Sequence, residues 1–301
     1  MNADLVKQKA AALSLDAVGI APLPFPETLT KILETAPAVP FTPADILART
    51  NAEALLPGAR SAIVILFPYQ IEAEETGANI ARYARAKDYH KVNRAYLLRL
   101  AALLSEEAPD AVFYPVCDTS PMVDRYLAYL AGLGFYGKNH CLIHPKYGSY
   151  FTVGALLTTL SLAPDAPLSE TCGSCRKCIA ACPGRALSET GMRRECCKSY
   201  LTQKKELTPE EETILSRTPF IFGCDECQAA CPYNEKAAVS PLPEIRESRI
   251  PRLTEKDLET LSTREFERKY KDYAFAWRGK KILMRNLMLT TPSERKPGAG
   301  S

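Results

Sequence analysis

The stretch CGSCRKCIAACPGRAL, residues 172–187, sets four cysteines at successive spacings of three, three and four positions and follows the last with proline. In a run of this kind the first three thiolates wrap one iron–sulfur cubane and the fourth reaches across to a second cluster. Iron in a cubane takes soft, charge-donating ligands, hence thiolates. The close spacing curls the backbone so that amide N–H groups can face the sulfurs. A second stretch, CDECQAACPYN at 224–234, nearly repeats the first with one cysteine fewer. By the same logic Cys172, Cys175 and Cys178 hold cluster one, which Cys231 completes, while Cys182, Cys224 and Cys227 hold cluster two and leave it one ligand short. Between the motifs, RRECCKSYLT at 193–202 offers the neighbours Cys196 and Cys197. One of them is the missing ligand, and spacing alone does not choose. Paired CxxC motifs also bind structural zinc, but a 3+1 and 1+3 division with two Cys-Pro dipeptides argues for two [4Fe-4S] clusters. Cys117 and Cys141 stand alone and read as small buried side chains.

Working outward, residues 16–160 alternate strand-like and helix-like segments. DAVGIA, SAIVILFPY, AVFYPV and GSYFTVGALLTTL are β-branched or apolar runs, and VNRAYLLRLAALLSEE has helical apolar spacing. In DTSPMVDRYLAYLAGLGF, Ser120 reads as an N-cap, Pro121 as the first helical turn and Gly132 or Gly134 as the stop. The pattern predicts an α/β sandwich over 1–163, a two-cluster module over 164–238, a helical segment over 239–290 and a disordered tail over 291–301.

The 301 residues carry a net charge of only +3 and 46% apolar side chains, enough for a real core. Any nucleic-acid surface must therefore be local. No stretch approaches the ~18 apolar residues of a membrane span. The N-terminus reads as an amphipathic helix entering a strand, without the charged start and apolar core of a signal peptide. Seven of the 11 cysteines lie in the two motifs. That usage predicts metal binding in a reducing cytoplasm, not disulfides.

Among other candidates, GLGFYGKN matches G-x4-G-K at Gly132, Gly137 and Lys138, but Asn139 replaces the metal-binding hydroxyl and the segment follows a helix, so no phosphate loop is expected. No G-x-G-x-x-G follows a strand. Asp118 ends a strand, where such sheets place ligands, although a turn or capping role accounts for it as well. Arg125 lies seven residues on. Tyr89 and His90 in RYARAKDYHKV are pocket-lining candidates beside a purely structural reading.

The ordered set ALLPGARSAIVI, ARYARAKDYHKV, DTSPMVDRYLAYLAGLGFYGKNHCLI, GSYFTVG, the two cysteine motifs and CCKSYLT resembles the epoxyqueuosine reductases, in a short form without the C-terminal helical repeats that many members carry. Residues 25–55 depart from the family's usual segment. The resemblance implies a flavin-reductase-like cobalamin domain joined to a ferredoxin-like module, with cobalt bound without a protein ligand and reduced through the clusters. It implies reduction of epoxyqueuosine to queuosine in tRNA, with Asp118 as the proton donor, and it selects Cys197 over Cys196. Cobalamin contacts are expected from Asp118, Arg125, Tyr89, His90, Lys138, Asn139 and Ser199. Expected partners are the tRNA anticodon stem-loop and a low-potential donor such as ferredoxin or flavodoxin, and the chain is expected to be a monomer. A proton donor must be protonated near neutrality, so a raised pKa is expected at Asp118. The RNA-facing candidates are Lys204 and Lys205, Lys280 and Lys281, and Tyr273 or Trp277 as a stacking surface. Two other functions compete: a related cobalamin and iron–sulfur reductase of a small molecule, and a plain electron-transfer protein.

Overall fold

The computed structural model describes residues 1–36, 41–72 and 75–291. Its strands are β1 (Val18–Pro22), β2 (Ser61–Pro68), β3 (Phe113–Cys117), β4 (Phe135–Tyr136), β5 (Leu142–Ile143) and β6 (Phe151–Thr158). One sheet runs β1-β2-β6-β3, and β4 and β5 form a separate short pair. Every ladder in the larger sheet is antiparallel. β2 and β3 therefore run the same way with β6 between them, which is how a strand–helix–strand sequence is met without a parallel pair.

β2 explains itself. All eight of its residues are buried, so both faces must be apolar and no polar alternation appears in SAIVILFP. Ile63, Ile65 and Phe67 pack with Val6 and Ala10 of the helix Ala3–Ala11 and with Leu97, Leu100 and Leu104 of the helix Tyr89–Glu107. Ala62, Val64 and Leu66 pack with Leu127, Ala128 and Leu130 of the helix Asp124–Leu130. Helices thus cover both faces, as expected of the sandwich. Truncating a side chain such as Leu100 to alanine costs about 2–5 kcal/mol in cores of this kind.

The helix after β3 begins later than expected. Asp124 is its first residue and Val123 its N-cap, with no side-chain cap bond. Ser120 is not the cap; its Oγ accepts from Met122 N at 3.3 Å, and residues 118–123 form an irregular loop. Gly132 does stop the helix, at a φ of +68° where a Cβ would be strained.

A third core joins Ile80 and Ala84 to Ile221, Phe222, Leu253, Leu258, Phe266, Phe275 and Leu283. Leu242 and Ile245 pack into the sheet core. Packing therefore crosses the boundaries expected at 163/164 and 238/239. The expected tail falls outside the described residues beyond Thr291. No helix among the described residues is long and apolar enough to cross a membrane.

Candidate active site and cluster cavities

β2 and β3 end, and β6 begins, at one edge of the sheet. A cavity of about 660 Å³ opens there, near the middle of the ~300–1,000 Å³ range of small-molecule sites. Tyr69, Asp118, Ser149 and Thr152 line it from the sheet end. Arg49 and Phe41 come from the segment before β2, and Ser199, Gln203 and Gln228 from the cysteine region. No histidine lines the cavity.

Asp118 occupies the first position after β3, on the irregular loop. Its Oδ2 accepts from the Tyr89 hydroxyl at 2.7 Å and lies 3.1 Å from His90 Nε2. The other ring nitrogen, Nδ1, lies 2.7 Å from Asp88 Oδ1. Asp88 is also the N-cap of the helix that carries both residues, accepting from His90 N at 3.0 Å. One carboxylate therefore starts the helix and orients the imidazole. Two carboxylates flanking one ring outweigh the opposing effect of its partial burial, and the His90 pKa rises to about 9. Asp118 moves the other way. The His90 hydrogen bond, which outweighs partial burial, holds its carboxyl below the ordinary range, aided by the Tyr89 hydroxyl and the nearby Arg125 charge. In this structure Asp118 thus shifts in the direction opposite to the one expected beside a bound macrocycle, and the imidazole is the more basic of the two partners.

Cys172, Cys175, Cys178 and Cys231 line a second, small cavity together with Lys138, Asn139, Ile143 and Tyr233. Asn139 supplies the test of fit. It is buried, its Oδ1 accepts from Cys141 N at 3.1 Å, and its Nδ2 has no hydrogen-bond partner. A buried orphan donor in a thiol-lined cavity suits the sulfurs of a cluster. Around the other set, burial pushes the Cys227 thiol well up, and the charges of Cys141, Cys224, Cys197 and Cys182 add to the effect. Backbone N–H groups approach the sulfurs as the curled backbone requires: Ala186 N lies 3.2 Å from Cys182 Sγ, Ser199 and Tyr200 serve Cys197, and Tyr233 and Asn234 serve Cys231. Among the described residues no three metal-ligating side chains converge as a single ion requires; the thiols ring a space instead. Gly184 marks a close approach, since a Cβ there would lie 1.8 Å from Cys196 O.

Two family models match the chain: residues 49–124 match the one described as epoxyqueuosine reductase QueG, DUF1730, and residues 171–234 match the 4Fe-4S double cluster binding domain. Epoxyqueuosine reductase of Bacillus cereus is 36% identical over 311 aligned positions, covering 96% of this chain and 80% of the relative. The chain belongs to the epoxyqueuosine reductase family. A solved epoxyqueuosine reductase in complex with an epoxyqueuosine-modified tyrosine tRNA stem-loop superposes with a TM-score of 0.84 at 30% identity, over 95% of this chain and 80% of that one. The Bacillus subtilis enzyme, solved with an aspartate-bearing catalytic loop swung out of the active site, gives the same TM-score, identity and coverage.

Against that family background, the structure brings Asp118, Tyr89, Arg125 and Ser199 to the large cavity, with His90 behind Asp118. Arg125 donates to His140 O at 2.6 Å. Lys138 and Asn139 lie elsewhere, at the cluster-one cavity, and Lys138 pairs with Glu189 at 2.8 Å and donates to Gly173 O at 2.9 Å. Lys138 and Asn139 both lie in the turn of the β4–β5 hairpin, whose other side, at Cys141 and Leu142, lines the large cavity. Of the RNA-facing candidates, Lys204 is held by Glu211 at 2.6 Å and Lys280 donates to Leu261 O. Lys205 and Lys281 are exposed. Tyr273 donates to Ser248 O at 2.7 Å and stacks on Phe275, so its ring is engaged, whereas Trp277 is exposed. Sequence reasoning missed Phe41, Arg49, Gln203 and Gln228 as lining residues. Only the position of Gln228 between Cys227 and Cys231 carried a signal for any of them.

Proposed function

We propose that this chain reduces epoxyqueuosine to queuosine in tRNA, with two [4Fe-4S] clusters feeding a cobalamin held in the large cavity. The observation that carries the reading is one cavity with two kinds of wall. Asp118 stands on one side; Ser199, next but one to Cys197, and Gln228, next to Cys227, stand on the other. Proton supply and electron supply thus face the same space. The ligand sets are Cys172, Cys175, Cys178 and Cys231 for cluster one, and Cys182, Cys197, Cys224 and Cys227 for cluster two. Cys197 is preferred to Cys196 because the family resemblance selects it and because the N–H groups of Ser199 and Tyr200 face its sulfur.

Asp118, Tyr89, Arg125 and Ser199 would contact the cobalamin. The residues fit a cobalt without a protein imidazole, since both nitrogens of His90 are taken by carboxylates. When bound, the cofactor supplies the low-potential two-electron reductant. Opening the epoxide to an alkene breaks both C–O bonds, forms the C=C bond, consumes two electrons and two protons and releases the oxygen as water. Asp118 delivers protons to that oxygen. Asp88 fixes the imidazole, and His90 passes its Nε2 proton to Asp118. Filling the cavity strips water from the carboxylate, which favours its neutral form and draws the proton across from His90. An external ferredoxin or flavodoxin would meet the chain near cluster one, whose cavity shares no lining residue with the one that holds Asp118, and the reading takes the chain as a cytoplasmic monomer.

The test is the modified-nucleoside content of tRNA from a deletion strain, with anaerobic turnover of the purified protein on an epoxyqueuosine stem-loop beside it. Accumulated epoxyqueuosine and turnover in vitro support the reading. Normal queuosine in a strain lacking this chain and any second homologue would remove it and favour a small-molecule reductase.

A further inference from the structure

Beside the large cavity runs a groove lined by Tyr200, Lys205, Leu207 and Thr208, and two residues, Phe41 and Gln203, line both spaces. At this shared wall lies an aromatic cluster assembled from three distant parts of the chain. Phe41 meets Trp277 edge-on with centroids 5.6 Å apart, and Tyr200 at 6.2 Å. The Arg278 guanidinium lies 3.8 Å from the Trp277 ring centre and 4.5 Å from that of Phe41, and its Nε is buried without a hydrogen-bond partner. Large aromatic rings are normally covered. Yet Phe41 is 58% and Trp277 54% exposed, and Phe41 holds a φ of +75°, unfavourable for a residue with a Cβ. Neither residue lies within the two segments matched by the family models.

We propose that Phe41, Trp277 and Arg278 form a stacking platform for an unpaired RNA base next to the nucleotide that enters the cavity. This rests on the tRNA reading above and names the subsite that reading lacks. Open π-faces backed by a cation are what a splayed-out base stacks on in sequence-tolerant recognition of single strands. Lys205 and Arg278 put positive charge along the groove where the phosphates flanking that base would run. Because the platform shares a wall with the cavity, a base stacked there belongs to a nucleotide near the one being reduced.

The experiment is a double-mutant cycle on holoprotein, using an epoxyqueuosine-bearing tyrosine tRNA stem-loop and versions carrying one abasic nucleotide at each unpaired loop position. Trp277→Ala should weaken stem-loop binding about 5- to 150-fold, and Trp277→Phe should restore most of it. At one loop position the abasic change should cost the wild type about as much, and cost the Trp277→Ala variant nothing further. Phe41→Ala should couple to the same position. Cluster absorbance should stay unchanged in all three variants. If the wild type binds but the variants bind equally well, or their costs add at every position, the platform is refuted and the tRNA reading stands. If the wild type binds no stem-loop at low salt, the tRNA reading falls first and takes the platform with it. If Trp277→Ala weakens cobalamin binding without RNA, yet leaves binding of cobinamide, which lacks the nucleotide tail, unchanged, the surface seats the cofactor's own base and the proposal is wrong.

Discussion

The two walls of the large cavity are built on opposite plans. On the cluster side, Gln228 Nε2 reaches Ser149 O at 2.8 Å and Oγ at 3.0 Å, Asn234 Nδ2 reaches Gln228 O at 2.7 Å, and Ser149 N reaches Asn234 Oδ1 at 2.7 Å. Behind them Arg85 joins Glu75 at 2.8 Å and Asp225 at 3.5 Å, and Arg249 closes on Glu75 at 2.7 Å, with Arg85 and Asp225 buried and Glu75 and Arg249 largely covered. On the other side Asp118 rests on an irregular loop, held by two side chains, with half of its own surface open. The difference follows from what each wall carries. Electron transfer falls off steeply with the separation between centres, so the cluster wall is locked by a network of buried polar groups, in which Asp225 Oδ1 is left without a hydrogen-bond partner. Proton delivery needs a group that can exchange with solvent and reach a substrate, so that wall is left loose.

The largest expected break in this comparison is loss of a cluster. Cys197→Ala should lower the iron content from about eight to about four per chain and abolish turnover, while Cys196→Ala keeps both. Iron and sulfide analysis of anaerobic protein decides it, and the opposite pattern would exchange the two residues. Asp118→Asn comes next. It keeps the shape but removes the proton path, so turnover should fall about 10²–10⁴-fold with cluster spectra unchanged.

A change in the locked wall should act on stability instead. Arg85→Met leaves Asp225 with the Arg82 N–H, at 2.7 Å, and Glu75 with Arg249 alone. The expected loss is about 3 kcal/mol, the low end for breaking a buried ion pair, read from chemical denaturation of the holoprotein. The loose wall should answer to pH. The His90 pKa is raised in the folded protein, so the stability and the proton it contributes are fully present below its ordinary value near 6.5 and are lost as pH rises through about 9. Turnover should therefore fall above about pH 9, and His90→Gln should remove that limb. The smallest effect is expected at Asn139→Leu, which takes the orphan donor from cluster one. Its reduction potential, followed by redox titration with electron paramagnetic resonance, should become more negative while cluster two keeps its own.

Legibility followed the same division. The grouping of Cys172, Cys175, Cys178 and Cys231 was readable because cubane ligation imposes a spacing on neighbours in sequence, whereas spacing left Cys196 and Cys197 undivided; β2 was readable because burial on both faces leaves an unbroken apolar run. The loose wall was not. Asp118 was found as a strand-end residue, but its protonation depends on His90, 28 positions away, and on Asp88 orienting that ring. The sign of its pKa shift could not be read from either segment. Ser120 and Pro121 carry a helix-start signature that local chemistry favours, yet the loop that projects Asp118 into the cavity overrides it and delays the helix to Asp124. Lys138 and Asn139 sit close to Arg125 in sequence, and only the β4–β5 hairpin reveals that they face cluster one. Phe41, Tyr200 and Trp277 come together from segments with no shared pattern.

The third core also sets an order of events during synthesis. Ile80 and Ala84 belong to a segment that leaves the ribosome with the sheet, yet their packing partners extend to Leu283. Asn79 finds both of its side-chain hydrogen bonds on Leu253, at 2.8 and 3.0 Å, and Ala81 N finds its acceptor on Phe222, at 2.9 Å. At ~5–20 residues per second the wait for Leu283, about 200 residues further on, is roughly 10–40 s. Once β6 has emerged, and until Leu283 follows it, the nascent chain holds a finished sheet and an open apolar seam. The same seam is sealed by the residues flanking Cys224, so closure of the fold and enclosure of cluster two become a single late step, and a chain released without iron would expose the seam to chaperones and proteases.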